Sequence, residues 1–351
     1  MSARVFVGTA KGAFLLTSDH SRQDWTIEGP LFPGWKVTSA TRTPRGTFLA
    51  GTGSFVYGAT LHQSDDLKNW KQIEGGPSYS KESGRAIKEI WTIDATEERT
   101  LVGVDEAGLF LGDAEAKSWK PLGGLNDHPT REAWQPGFGG LCAHSIVRDP
   151  NNTERLWCGI SAVGVFRSDD GGESWRPKNV GIPVILEDKV HKEVGFCVHG
   201  LAIDPDDGNM LYRQDHLGMF RSRDAGDTWE RNEEGLPSGF GFPIALDRTT
   251  RHLFAVPLKS DEYRFPADGH FRVYRSRDRG DTWEPLANGL PSEHCYAGVL
   301  RGALAVDHLD PCGVYVGTTS GSVHLSGDGG DSWRTLPCTL PRILCVEAFA
   351  D

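Results

Sequence analysis

The sequence predicts an all-β fold, a seven-bladed β-propeller of four-stranded antiparallel blades, and three observations support it. The 351 residues include 43 Gly, 20 Pro and 11 Trp but only three Met, which is typical of short strands joined by tight turns. A motif ending in Trp recurs along the whole chain. Between its copies, short apolar runs alternate with turns rich in Gly, Asp and Pro, as in propeller blades.

The recurring motif is an octet, complete in four copies and eroded in three. The complete copies are SDDGGESW from Ser168, SRDAGDTW from Ser222, SRDRGDTW from Ser276 and SGDGGDSW from Ser326. The seven Trp anchors, 45 to 56 residues apart, are Trp25, Trp70, Trp119, Trp175, Trp229, Trp283 and Trp333. Repeats of about 50 residues fill the chain, so we predict one domain over residues 1–351.

Each period predicts four strands in a fixed order. An apolar run ending in a turn comes first, as in HSIVRDP (144–150), and two runs separated by Gly follow, as in GVYVGTTSGSVHLS (313–326). The octet and a short run through Trp complete the blade. The chain begins with a second and third strand (4–19) and finishes with an inner strand, RILCVEAFA (342–350). We therefore expect the last strand to close the ring by pairing with the amino-terminal strands.

The octet predicts a structural turn between the third and fourth strands. Its Gly suits a positive φ, its Asp can accept hydrogen bonds from turn amides, and its Trp supplies a large ring for packing. Calcium binding is the alternative, but one Asp per turn supplies too few oxygen ligands. The predicted structural residues are Asp170, Gly172, Trp175, Asp224, Gly226, Trp229, Asp278, Gly280, Trp283, Asp328, Gly330 and Trp333.

The octets resemble the BNR or Asp-box repeat, S-x-D-x-G-x-[ST]-W, of the sialidase-like "glycosyl hydrolase BNR repeat" family. The resemblance implies a propeller but no single activity, since family members include sialidases, xyloglucan-cleaving enzymes, sortilin-like receptors and photosystem assembly factors. A true sialidase is disfavoured, because the family's F-R-I-P motif is replaced by FGFP, with Gly241 in place of Arg. The xyloglucan enzymes place two propellers around a cleft, whereas this chain predicts one.

Charge and composition exclude several partners. A net charge of -11 argues against nucleic acid and anionic membranes, and no run of about 18 apolar residues could cross a bilayer. The amino terminus has no secretory pattern, and none of the seven Cys forms a C-x-x-C pair. We therefore expect a cytoplasmic protein with free thiols and no cofactor.

The face opposite the octets is the predicted functional face, at the mouth of the channel. Two neighbouring inner strands begin with G-x-C-x-H, in GLCAHSIVRDP and GFCVHGLAIDP, which places His144 and His199 at equivalent positions. They are candidates for an acid/base pair, for metal ligands or for anion binding, and the alternative is packing between blades. No HxH or HxxxH spacing accompanies them, so we predict no bound metal.

Other candidates lie in the loops of the same face. Two loops are candidates for the functional site. One is the lengthened loop PLKSDEYRFPADGHFR (257–272). The other is the loop 181–195, whose carboxylates suit glycosidic chemistry: Glu187, Asp188 and Glu193. The candidate ligand-binding residues are Lys88, Glu89, Trp134, His216, Lys259 and Arg301. They predict a site for a small polar or anionic molecule, such as a carbohydrate derivative, with hydrolase or lyase activity left open. The alternative is a non-catalytic scaffold that presents its rim to a protein partner.

Overall fold

The computed structural model describes residues 2–184, 191–307 and 309–350. These residues form seven four-stranded sheets, and every strand pairing that we resolve within them is antiparallel. The fold is therefore the predicted all-β, seven-bladed β-propeller. Helical structure in the described residues is confined to single turns, such as α1 (Gly123–Asn126). We number the blades 1 to 7 in chain order.

Each blade has four strands, which follow one another along the chain except in blade 1. In chain order, blade 1 contains β1 (Ala3–Thr9), β2 (Gly12–Ser18) and β3 (Thr26–Leu31); blade 2 β4 (Lys36–Arg42), β5 (Phe48–Ser54), β6 (Gly58–Ser64) and β7 (Lys71–Gln72); blade 3 β8 (Glu89–Ala95), β9 (Arg99–Asp105), β10 (Gly108–Asp113) and β11 (Trp119–Pro121); and blade 4 β12 (Ala143–Arg148), β13 (Leu156–Ile160), β14 (Gly164–Ser168) and β15 (Arg176–Pro177). Blade 5 contains β16 (Gly200–Ile203), β17 (Leu211–Gln214), β18 (Met219–Ser222) and β19 (Glu230–Arg231); blade 6 β20 (Gly241–Leu246), β21 (Leu253–Pro257), β22 (Val273–Ser276) and β23 (Glu284–Leu286); blade 7 β24 (Leu304–Val306), β25 (Val314–Gly317), β26 (Val323–Ser326) and β27 (Arg334–Thr335); and β28 (Ile343–Ala350) completes blade 1.

The two ends of the chain share blade 1, as predicted. Strand β28 pairs antiparallel with β1, with Val346 opposite Val7 and Ala350 opposite Ala3. The register shifts beside Gly8, where a Cβ would lie 2.5 Å from the Cys345 sulfur. Only Gly fits at this position without displacing its neighbours, so the closing strand depends on it.

Residue contacts divide the chain into two compact units. The first comprises Met1–Val37, Arg213–Phe220 and Arg231–Asp351, and the second comprises Thr38–Tyr212 and Arg221–Glu230. Each unit has its own buried aliphatic and aromatic core, centred on residues such as Phe254 in the first and Phe166 in the second. None of the helices in the described part of the chain has the length and apolar character needed to cross a membrane.

Every blade has an octet end and a loop end. At the octet end of blades 4, 5 and 7, a main-chain hydrogen bond joins the octet turn to the turn between the first and second strands, as from Gly171 N–H to Glu154 O (2.9 Å) and from Gly329 N–H to Cys312 O (2.9 Å). At the loop end, the lead-in loop before the first strand bonds to a turn between second and third strands. Examples are Leu258 N–H to Phe240 O (2.8 Å) and Thr319 N–H to Gly298 O (2.8 Å). The octets therefore lie at the opposite end of each blade from the predicted functional loops.

The octet aspartates cap their turns. Asp170 accepts hydrogen bonds from the Ser174 amide (2.9 Å), the Ser174 hydroxyl (2.5 Å) and the Ser168 hydroxyl (2.8 Å). The Ser174 hydroxyl and amide hold the pKa of Asp170 below its usual range. The same three bonds recur at Asp224, Asp278 and Asp328. Gly172, Gly226, Gly280 and Gly330 all have positive φ, and the four Trp anchors of these octets are each 4% exposed.

The eroded octets keep the turn without the glycine. The residue three positions before Trp25, Trp70 or Trp119 still adopts a positive φ, although it is Arg22, Leu67 or Ala116. Its carbonyl accepts the hydrogen bond of the Trp indole at 2.9–3.0 Å. Erosion has therefore changed the residue but not the backbone geometry.

We expect Asp170→Ala to lower the free energy of unfolding by about 1–2 kcal/mol, because two turn donors from Ser174 lose their acceptor. Urea denaturation measures this. The matched control is Asp169→Ala, which removes exposed ion pairs with Arg155 and Arg167 and should cost less than about 1 kcal/mol.

The same measurement tests calcium binding. Because the Ser174 donors engage both oxygens of Asp170, we expect a calcium chelator to leave the unfolding midpoint unchanged. A midpoint that falls with chelator in the wild type but not in Asp170→Ala would restore the calcium alternative.

Candidate functional site

His144 lies buried inside the second unit. Its Nε2 is 2.9 Å from the carbonyl oxygen of Val198, and its Nδ1 is 2.9 Å from the Ser145 hydroxyl. Because a carbonyl only accepts hydrogen bonds, Nε2 carries the proton and donates it. A role for His144 as a metal ligand through Nε2 would require this bond to break.

The other half of the histidine pair is also buried. His199 is 6% exposed immediately before β16, compared with 7% for His144. Of the two cysteines in this motif, Cys142 is buried and points its sulfur at the Gly139 carbonyl (3.2 Å), whereas Cys197 is partly exposed. Neither histidine side chain presents an open surface comparable with that of the exposed loops described below.

Lys88 and Glu89 lie at the start of β8. The Lys88 ammonium forms a 2.6 Å ion pair with Glu106, which raises the pKa of Lys88 through the hydrogen bond between them. Glu89 is partly buried as the first residue of the strand. The positive charge of Lys88 is therefore balanced locally by a carboxylate from the turn between β9 and β10.

Trp134 does not provide an open ring face. It is 6% exposed, with Phe166 (5.3 Å between centroids) and His128 (6.3 Å) against it and the Arg131 guanidinium 4.6 Å from its ring centroid. The indole N–H donates to Thr130 at 2.9 Å. Its surroundings are those of a core residue that stabilises the lead-in loop of blade 4, so the predicted ligand-binding residue Trp134 has no ring face open to a ligand.

The lengthened loop of blade 6 brings functional groups together in the first unit. Its tip, residues 259–265, is closed by a hydrogen bond from Lys259 N–H to Phe265 O (2.8 Å) and another from Arg264 N–H to Ser260 O (2.9 Å). The later part of the loop binds the lead-in loop of blade 7, where Cys295 N–H donates to Gly269 O (2.9 Å). These main-chain bonds hold both loops in one arrangement.

Three aromatic rings form a surface on these two loops, which we call the aromatic surface: Tyr263, Phe265 and Tyr296. The Tyr263 and Phe265 centroids are 5.4 Å apart and the Phe265 and Tyr296 centroids 5.2 Å apart, with edge-to-face geometry. Tyr263 is 47% and Tyr296 64% exposed, whereas Phe265 between them is partly buried. Two open rings are thus held on either side of a packed one.

Cationic side chains border the aromatic surface. The Lys259 ammonium is 4.5 Å from the Tyr263 centroid, and the guanidinium carbons of Arg264 and Arg301 are 5.6 and 5.9 Å from the centroid of Phe242. Such cation–ring contacts are favourable because the ring face carries negative partial charge. Two arginines therefore converge on the Phe242 ring, and one of them, Arg264, directly follows Tyr263 in the chain.

His216 connects the lengthened loop to the turn between β17 and β18. Its Nε2 is 3.0 Å from the Asp261 carboxylate, and its ring packs edge-on against Phe240 at 5.2 Å. Phe240 in turn contacts Phe242 at 5.2 Å. Three predicted residues, His216, Lys259 and Arg301, are thus linked through contacts of the first unit.

Sequence reasoning missed Tyr263, Tyr296 and Arg264 as individual residues. The length of the loop 257–272 was the signal that contained two of them, while Tyr296 had no motif of its own. Of the proposed carboxylates, Glu187 and Asp188 lie outside the described residues, and Glu193 is exposed near the start of blade 5.

No model of a known protein family matches the chain. Two similar proteins are Xyloglucanase Xgh74A of Acetivibrio thermocellus, 28% identical over 250 residues, and a xyloglucanase of Paenibacillus sp, 22% identical over 335 residues. These matches cover 62% and 86% of this chain. The chain spans only 28% and 29% of the length of these relatives.

Two solved structures share the fold over most of their length. YCF48 bound to D1 peptide is 14% identical with a TM-score of 0.55, covering 88% of this chain and 85% of its own. A putative 6-phosphogluconolactonase from Bacteroides fragilis is 9% identical with a TM-score of 0.58, covering 99% and 98%. At these identities the likeness extends to the fold alone.

Proposed function

We propose that the chain is a carbohydrate-binding β-propeller whose ligand packs on the aromatic surface of the first unit. The observation that carries this proposal is the pair of exposed rings, Tyr263 and Tyr296, held in fixed positions by Phe265. The C–H faces of a sugar ring bury well against an aromatic face, while the sugar hydroxyls and the phenol groups stay in water.

The similar proteins support the choice of carbohydrate. Both curated relatives are named xyloglucanases, although this chain spans less than a third of either. Glycoside hydrolysis needs two carboxyl groups about 5–5.5 or about 6.5–9.5 Å apart on either side of the bond. Beside the aromatic surface, Asp261 is engaged by His216, so our proposal is for binding, and turnover is tested in the same assay.

Protein binding is a second candidate, favoured by a different surface. The turn between β5 and β6 exposes three consecutive apolar or aromatic residues, Phe55 (106%), Val56 (74%) and Tyr57 (73%). Exposed apolar groups of this kind are common at protein interfaces. YCF48, a structural neighbour, was solved bound to a peptide.

Replacement of Tyr263 or Tyr296 with Ala is expected to weaken binding of xyloglucan-derived oligosaccharides about tenfold each, because each change removes one ring face. Titration calorimetry measures this, and reducing-end release in the same samples tests hydrolysis. Tyr263→Phe should bind like the wild type if the ring face is what matters.

Tyr57→Ala is the matched control, since Tyr57 is an exposed tyrosine of the second unit. Wild-type affinity in both Tyr263→Ala and Tyr296→Ala would refute the aromatic surface as the site. A loss of oligosaccharide binding confined to Tyr57→Ala would place the sugar site at the turn between β5 and β6 instead.

A further inference from the structure

Lys259 and Arg264 are two cations that form no ion pair with a carboxylate among the residues that the structure describes. In the part of the chain that the structure describes, the Lys259 ammonium contacts the Tyr263 ring, and neither residue forms an ion pair. Arg264 is exposed, and its Nε donates to the Asp261 carbonyl at 2.9 Å. The remaining N–H groups of this guanidinium form a planar fork that matches a carboxylate or phosphate.

Arg85 in the second unit differs from Lys259, because its cation has both a ring contact and a carboxylate partner. Arg85 also lies over a tyrosine ring, 4.7 Å from the centroid of Tyr79, but its guanidinium also forms a 2.7 Å ion pair with Asp127. At the aromatic surface Lys259 keeps the ring contact, and no carboxylate of the described ranges forms an ion pair with it. In a chain with a net charge of -11, such unbalanced positive charge attracts an anion from solution.

The acidic residues of the same loop do not act as counter-ions to Lys259 and Arg264 in the described part of the chain. The Asp261 carboxylate lies 3.0 Å from His216. Glu262 is exposed and forms no ion pair with Lys259 or Arg264 among residues 2–184, 191–307 and 309–350. Arg301 adds a third cation on the Phe242 ring shared with Arg264.

We infer that the ligand of the aromatic surface is an acidic sugar, whose carboxylate or phosphate is bound by Lys259 and Arg264 while its ring packs on Tyr263. This inference rests on the proposed carbohydrate-binding function and specifies its ligand class. Carboxylate and phosphate share the charge and the acceptor oxygens that an ammonium and a guanidinium recognise. A neutral sugar would use the ring face alone.

Calorimetry with matched ligands tests the inference. The probes are a xyloglucan-derived oligosaccharide, the same oligosaccharide with one primary hydroxyl oxidised to a carboxylate, and glucose with its 6-phosphate. We expect at least one charged ligand to bind about tenfold more tightly than its neutral partner at low salt, with the advantage shrinking as salt is added. Whichever pair shows the larger gain identifies carboxylate or phosphate as the recognised group.

Lys259→Gln and Arg264→Gln should each remove most of that advantage and leave neutral-sugar binding within twofold. Lys81→Gln changes an exposed lysine of the second unit. It is the matched control and should keep the affinity advantage of the charged ligand. Equal affinity for charged and neutral ligands, or an advantage that survives both variants, would overturn the inference and leave the proposed function standing. Absence of binding by every sugar would overturn both.

Discussion

Asp307→Asn is expected to lower the free energy of unfolding by about 3–5 kcal/mol, because it leaves a buried guanidinium without its counter-charge. Arg22 and Asp307 are 4% and 1% exposed, and Arg22 Nη1 is 3.2 Å from the Asp307 carboxylate. The pair joins blade 1 to blade 7 inside the first unit. Urea denaturation of the full chain measures the effect.

Asp307 is also the centre of a hydrogen-bond network. One carboxylate oxygen accepts the amides of Gly313 (2.7 Å) and Leu309 (3.1 Å), and the other accepts the Tyr315 hydroxyl (2.7 Å). Arg22 also donates to the Pro311 carbonyl at 2.7 Å. Asparagine keeps one acceptor oxygen but replaces the other with a donor that faces Arg22 and Tyr315, so both of those groups lose a partner.

Two variants establish the cause of this loss. Adding Arg22→Met to Asp307→Asn should recover part of the stability, since the buried charge is then gone. Glu115→Gln, which breaks the exposed Arg45–Glu115 ion pair, should cost no more than about 1 kcal/mol. If Asp307→Asn lowers the free energy of unfolding as little as Glu115→Gln does, the buried Arg22–Asp307 pair does not contribute the stability that its burial implies.

The fold was predictable because its signal is periodic. The number of Trp anchors predicted the number of blades. The strand-like runs at the two ends of the sequence, which together make one blade, predicted that β28 would pair with β1. The Arg22–Asp307 contact was not predictable, because 285 positions separate the two residues. An Arg at the glycine position of an octet appears in the sequence as erosion, whereas in the structure its side chain reaches the neighbouring blade.

The candidate site was predictable only in part, and burial is the reason. The G-x-C-x-H repeat predicted equivalent positions for His144 and His199, but a sequence does not show that both rings are buried. Loop length was the better signal, since it drew attention to 257–272, where Lys259, Tyr263 and Arg264 lie together. The cytoplasmic location and the lack of a cofactor stay predictions, as does membership of the Asp-box family.

The environment of Glu347, like the Arg22–Asp307 contact, was not predictable from the sequence, because Glu347 lies within the apolar run of the closing strand β28. It is partly exposed and stands opposite Phe6, next to the buried Val346 on the same strand. Burial nevertheless raises the pKa of Glu347 from 4.5 to about 8. The Cys345 thiol has its own pKa raised, first by burial and then by the charge of Glu347.

The sign of the resulting pH dependence follows from proton binding. The folded state holds the Glu347 proton more tightly than the unfolded state, so its contribution to stability is fully present below pH 4.5 and is lost as the pH rises through about 8. One pKa unit corresponds to about 1.4 kcal/mol, and we expect a total effect of about 3 kcal/mol after a discount for partial exposure.

Glu347→Gln should therefore match the wild type near pH 5 and exceed its stability by about 3 kcal/mol at pH 8.5, because glutamine never acquires the buried charge. Urea denaturation across this pH range gives the difference directly, and ionisations elsewhere in the chain cancel in it. Glu74→Gln, at an exposed position, should keep the wild-type profile. A constant difference between Glu347→Gln and the wild type from pH 5 to 8.5 would show that Glu347 is ionised throughout. Its surroundings would then be stabilising a carboxylate rather than excluding one.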